Sequence, residues 1–151
     1  MSDVNIVPVD ERDNGWEDHR PRFRVYLHGS GESSTSGWTA TYDITGADVL
    51  QVIDWAQAQA GDTLTYAVAL VYDDKAEEDR NPGYGRGLVW LIGMDGNDHV
   101  PDYPLLVATQ HRMLTRRNAP SVISEVDRMP SDVPSVSTEL ISRLNAAQRP
   151  H

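Results

Sequence analysis

Cysteine is absent from the 151-residue chain, which excludes disulfides, thiol catalysis and thiolate metal sites. Lysine occurs once, at Lys75, and every other cationic side chain is an arginine, a bias that follows from a GC-rich coding sequence and carries no mechanism. Long apolar runs are missing as well. Runs such as Leu88 to Ile92 fall far short of the ~20 residues that span a bilayer. No basic segment followed by an apolar one opens the chain, so no secretory signal is expected and the predicted location is cytoplasmic. His19, His28, His99, His111 and His151 form no H-x-x-x-H or H-x-H pair, so no zinc signature exists and no metal or cofactor is expected. No solenoid-type repeat is present.

What is present is acid, unevenly placed. The net charge is -10. Residues 1–100 hold 18 acidic against 7 basic side chains, whereas residues 101–151 hold 5 against 6. An acidic surface repels phosphate backbones and anionic lipid, so neither nucleic acid nor membrane is an expected partner. At this length one domain is expected, burying roughly 70% of its unfolded surface without staples.

Periodicity predicts the elements. Phe23, Val25 and Leu27 alternate with Arg22, Arg24, Tyr26 and His28, a half-buried strand over 22–28. Further strands are expected at 38–44, 64–72 and 88–94. The last is apolar almost continuously, which predicts a central position covered on both faces. Val4, Ile6 and Val9 suggest an additional edge strand. Val49, Val52, Ile53, Ala56 and Ala60 recur at helical spacing, so a helix is expected over 46–60, opened by Thr45 with Asp48 as a capping box and stopped by Gly61. Residues 104–117 read either as a helix with Pro104 at its first position or, over 105–109, as a fifth strand. Leu140, Ile141 and Leu144 predict a short helix at about 137–147. The expected fold is α+β: an antiparallel-rich sheet of four or five strands in a ββαββ core with one helix on it and a helical C-terminal segment. An N-terminal segment (1–21), the core domain (22–115) and an extension (116–151) packed on the same domain complete the organisation.

Several motifs invite chemistry. Leu27-His28-Gly29-Ser30-Gly31, with Trp38 downstream, resembles the oxyanion loop of α/β-hydrolases, which implies backbone N–H groups aimed at a developing oxyanion. No G-x-S-x-G nucleophile elbow accompanies it, and a strand follows where that family places a helix. Gly83-Tyr84-Gly85-Arg86-Gly87 looks like a phosphate cradle but leads into a strand, not a helix. Asp95-Gly96-Asn97-Asp98-His99 lacks the glycine and glutamate of an EF-hand and reads as an Asx-rich turn. Arg112, Arg116 and Arg117 can bind an anion or pair with the acidic front, and internal pairing is expected.

Two functions fit this pattern. The first is a non-catalytic protein-interaction or accessory module, for which the apolar fourth strand offers a homodimer contact. Its candidate contacts are Trp55, which falls off the apolar stripe of the helix and is either exposed or covered by the C-terminal region, and the acidic loop Asp73, Asp74, Glu77, Glu78 and Asp79. The alternative is a small enzyme or ligand-binding domain whose site is assembled from distant residues. A pocket gathering His28, His99 or His111 with carboxylates favours the second; an exposed Trp beside an open strand edge favours the first.

Overall fold

The computed structural model describes residues 4–29, 37–97, 103–117, 119, 123–136, 139–140 and 142. Four strands, β1 (Arg22–Gly29), β2 (Trp38–Ile44), β3 (Thr65–Asp73) and β4 (Arg86–Ile92), form one open antiparallel sheet in the order β2-β1-β3-β4. Helix α1 (Val49–Ala60) joins β2 to β3, α2 (Lys75–Arg80) joins β3 to β4, and α3 (Pro104–Arg116) follows β4, so the class is mixed α+β. β2 and β3 each run antiparallel to β1 and therefore parallel to each other. That relation demands a crossover rather than a hairpin, and α1 is the crossover.

Alternation sends the two faces of the sheet to different layers. Phe23, Val25 and Leu27 of β1 and Tyr66 and Val68 of β3 meet Val52, Trp55, Ala56 and Ala60 of α1. On the opposite face, Ala67 packs with Met94 and with Met113 of α3, flanked by Tyr26, Trp90 and Leu106. Residues 104–116 are thus helical, with Pro104 in the first turn where its missing N–H costs nothing.

Four expectations are corrected. Helix α1 begins later than predicted: Asp48, not Thr45, is the N-cap, its carboxylate accepting from Gln51 N–H at 2.9 Å while Gln51 Oε1 accepts from Asp48 N–H at 3.1 Å. β4 is an edge strand, not a central one. Its apolarity on both sides arises because Val68 opposes Ile92 while Ala69 opposes Trp90, leaving Leu91 as an extra residue. This bulge turns Ile92 toward the α1 layer and Trp90 toward the α3 layer. The stretch 73–87 is not a plain loop but contains α2, capped by Asp74. Residues 4–20 form no strand and are exposed. The loop 29–37 and the helix expected at 137–147 fall mostly outside the described residues, although Leu140 is buried in the α1-side core.

At the outer end of β1, Gly29 faces Trp38 across the hairpin, and a Cβ at position 29 would overlap the indole. Gly29→Ala must displace that ring. We expect it to lower stability by roughly 1–3 kcal/mol in urea unfolding, whereas Gly15→Ala, where a Cβ meets nothing within 4 Å, stays near neutral.

Candidate functional site

The acidic loop is largely committed to its own architecture. Asp73 sits in a ladder of alternating charge across one face of the sheet. Asp43 on β2 takes a two-pronged bond from Arg24 on β1 at 2.7 and 3.2 Å, Arg22 reaches Asp73 at 3.1 Å, and Arg86 on β4 reaches Asp73 at 2.7 Å. The hydrogen bond from Arg24 holds the Asp43 carboxyl below the usual range, and that from Arg86 does the same for Asp73. Asp74 caps α2, accepting from Glu77 N–H at 3.1 Å, and Glu77 pairs with Arg80 at 2.7 Å. Asp79 is exposed.

Glu78 explains the glycine-rich segment. Its two carboxylate oxygens accept from Gly83 N–H at 2.9 Å and Gly85 N–H at 2.8 Å, which lowers its pKa. The loop that looks like a phosphate cradle therefore does hold an oxyanion, but one supplied by the chain itself. Gly85 is required there, since a Cβ would press on the Glu78 side chain and on the Asp74 carbonyl.

Trp55, the other candidate contact, is 7% exposed and lies in the core. Its ring meets Tyr42 edge-on, with centroids 5.6 Å apart, and its Nε1–H donates to the Pro134 carbonyl at 3.1 Å. The segment 128–136 runs as a strap along this side of α1. Asp54 accepts from Arg128 Nη1 at 2.9 Å and from Met129 N–H at 2.9 Å, and Gln59 Oε1 accepts from Val136 N–H at 2.7 Å and Ser135 Oγ–H at 3.0 Å. The buried residues of α1 are thus Val52, Asp54, Trp55, Ala56, Gln59 and Ala60, a set that differs from the predicted stripe. Asp54 and Gln59 carry the anchoring, and sequence reasoning missed both. The available signal was Trp55 sharing a face with Gln59, which marks a polar face that something covers.

Of the histidines, His28 and His111 lie among the described residues in different settings. His28 is fully buried. Its Nε2 accepts from Gly96 N–H at 3.1 Å, so the proton resides on Nδ1, which lies 3.1 Å from Thr39 Oγ1. Asn97 Nδ2 reaches the same hydroxyl at 2.6 Å. This imidazole ties the end of β4's return loop to the β1–β2 hairpin, and Ser30 and Gly31 of the oxyanion-like motif lie outside the described residues. His111 is exposed on α3, and His99 and Asp98 lie outside the described residues. Among the described residues no three His, Asp or Glu side chains stand where they could share a metal ion.

The surface retains apolar features with no cover. Val89 is 52% and Leu91 43% exposed on the open β4 edge. In the N-terminal arm Ile6 is 89% and Trp16 71% exposed, with Val7 and Val9 alongside. No described helix is long and apolar enough to cross a membrane. Comparison with protein-family models, with curated proteins and with solved structures finds no match to this chain.

Two outcomes are expected. Burial lowers the His28 pKa, with Asp95 opposing. The unfolded imidazole binds a proton near pH 6.5 while the folded one resists, so stability is complete above that pH and falls as pH drops from about 7 toward 5. Unfolding midpoints over this range should decline in the wild type and flatten in His28→Gln. Separately, Asp54→Ala removes the bonds from Arg128 and Met129 that hold the start of the strap and leaves those at Gln59. It should cost about 2–3 kcal/mol and open residues 128–136 to limited proteolysis without unfolding the sheet.

Proposed function

We propose that the chain is a non-catalytic protein-interaction module that associates by strand addition along β4. The observation that carries this reading is an edge strand with Val89 and Leu91 on the surface. Edge strands in monomeric proteins are ordinarily blunted by charged side chains, proline, a β-bulge or a covering element. β4 has Arg86 at its start and a bulge at Leu91, but Leu88, Val89 and Trp90 between them carry no charge and no proline. Trp55, the tryptophan expected at the contact, is buried, and Asp73, Asp74, Glu77 and Glu78 are engaged within the chain, so the open edge is the feature that supports this reading.

The segment that fits this edge is the N-terminal arm of a second copy. Ile6, Val7 and Val9 are exposed and occur in a stretch with the composition of a strand. The linker at 10–21 extends up to about 40 Å at ~3.3 Å per residue, ample to reach a neighbouring molecule. An added strand donates main-chain hydrogen bonds while its apolar side chains cover Val89 and Leu91. A heterologous protein partner would present the same chemistry: an extended segment with alternating apolar side chains. A cytoplasmic location, without nucleic acid, membrane or cofactor, belongs to the same reading.

Apolar association tolerates salt, whereas contact through exposed charges weakens once they are screened beyond ~8 Å. Sedimentation should therefore find a dimer at both low and high salt, and a monomer for Leu91→Lys and for Ile6→Asp with melting temperatures near wild type. A wild type that is monomeric at both salts and at high concentration would falsify the strand-addition reading.

A further inference from the structure

Two places in the chain set an Asn or Asp side chain directly before a glycine: Asn14-Gly15 and Asp95-Gly96. Both hold the atoms of one reaction, in which the glycine backbone nitrogen attacks the preceding side-chain carbonyl carbon and closes a five-membered cyclic imide. Glycine favours it because no side chain screens the nitrogen and the backbone turns freely into the attacking geometry. In sequence the two pairs look alike. The fold treats them differently.

Asp95-Gly96 is closed. Gly96 is buried, and its N–H donates to Nε2 of the fully buried His28 at 3.1 Å. The Asp95 carboxylate is occupied too, with Oδ1 accepting from Asn97 N–H at 3.0 Å. Asn97 is itself tied to the β1–β2 hairpin, its Nδ2 donating to Thr39 Oγ1 at 2.6 Å and its Oδ1 accepting from Gly37 N–H at 3.2 Å. Nucleophile and carboxylate are both held, and freeing them requires this turn to open.

Asn14-Gly15 is open. Every residue from 4 to 20 is exposed, including Trp16 beside the pair at 71%. Among the described residues no hydrogen bond engages the Gly15 N–H, and a Cβ built there would meet no heavy atom within 4 Å. Asn14 Nδ2 donates to Glu17 Oε1 at 3.1 Å, a bond between two exposed side chains for which water competes.

We propose that Asn14 is a site of spontaneous deamidation in the folded protein, through cyclisation onto Gly15, and that the fold shields Asp95-Gly96 from the equivalent isomerisation. The Gly15 amide proton is lost to solvent base, the nitrogen electron pair forms the bond to Asn14 Cγ, and the Cγ–Nδ2 bond breaks, with Nδ2 taking up a proton and leaving as ammonia. Water then opens the imide. Cleavage of the nitrogen–Cγ bond gives aspartate; cleavage between the nitrogen and the main-chain carbonyl gives isoaspartate, in which the chain runs through the side-chain carboxyl. Each event adds one negative charge to a chain of net charge -10, and the isoaspartyl product lengthens by one methylene the arm that leads into β1.

The intact chain is incubated at pH 6 and pH 8, both native and in guanidinium chloride, and then mapped by peptide mass spectrometry. An isoaspartyl carboxyl methyltransferase with a labelled methyl donor reports isoaspartate peptide by peptide. In the native protein residue 14 should convert with the mass gain of amide to acid, faster at pH 8, with an acidic shift of one charge on isoelectric focusing. Methyl label should be confined to the peptide that holds residue 14. In guanidinium chloride residue 14 should convert at a similar rate, and label should also appear at residue 95. Gly15→Val, whose side chain enters open space, should lose the conversion at an unchanged melting temperature. The proposal is overturned if residue 14 stays intact in the native protein while the unfolded chain converts, if Gly15→Val converts as wild type does, or if residue 95 isomerises in the native protein as fast as residue 14 converts.

Discussion

Burying a carboxylate costs several kcal/mol unless its charge is met and its lone pairs are filled. Asp54 is placed on the buried side of α1, and both requirements are satisfied from one place, by the Arg128 guanidinium and the Met129 N–H, 74 and 75 residues away in sequence. That single clasp fixes where the strap crosses the helix. Once it is set, the Pro134 carbonyl falls on the Trp55 indole N–H, the Val136 N–H falls on Gln59, and the chain is directed so that Leu140 enters the core. The α1 layer is closed by a polar contact that orders apolar ones. Asp54 and Arg128 are near neighbours in no local motif, which makes the strap the longest-range commitment of the fold.

The sheet was legible because alternation is a local property. Each residue of β1 declares its face by whether it is apolar, and all four strands lie within two residues of the predicted spans. The helix was legible as a helix and misread as a surface. Val49, Val52, Ile53, Ala56 and Ala60 define one stripe by their spacing, but burial follows what packs on the helix, and the strap shifted it by covering Trp55 and Gln59. The order of strands was not legible. A run such as Leu88 to Ile92 reads as central because both faces are apolar, and a bulge that feeds two separate layers produces the same letters at an edge. The candidate contacts fared similarly. Charge is visible in sequence and its partners are not, so Asp73, Asp74, Glu77 and Glu78 look like a free acidic surface until Arg22, Arg86, Arg80 and the backbone of 77, 83 and 85 are seen in place.

The distribution of charge has its own logic. A net of -10 suggests a uniformly repulsive surface. The structure sorts it instead into tasks: helix caps at Asp48 and Asp74, a cross-strand ladder through Asp43 and Asp73, a loop clasp at Glu78 and the strap anchor at Asp54. Each of these positions satisfies donors that would otherwise be idle, and two of them place an acid where a helix N-terminus favours it. The cations are as deliberately placed, with Arg22, Arg24 and Arg86 on the sheet and Arg116 and Arg117 lining a cavity between the end of α1, the start of β3 and the end of α3.

Leu91, the extra residue of the β4 bulge, gives the chain an unusual sensitivity to length. In most strands an added or lost residue is absorbed by the adjoining loop, with the sheet keeping its sides. Here the single insertion is what allots Trp90 to one layer and Ile92 to the other, and Gly93 and Met94 leave the strand already committed to the α3 side. Removing one residue at this point would exchange inside and outside for everything that follows until the next turn. Divergence by substitution is therefore open to this strand in a way that divergence by insertion or deletion is not, and a one-residue ruler inside β4 keeps two apolar layers in phase.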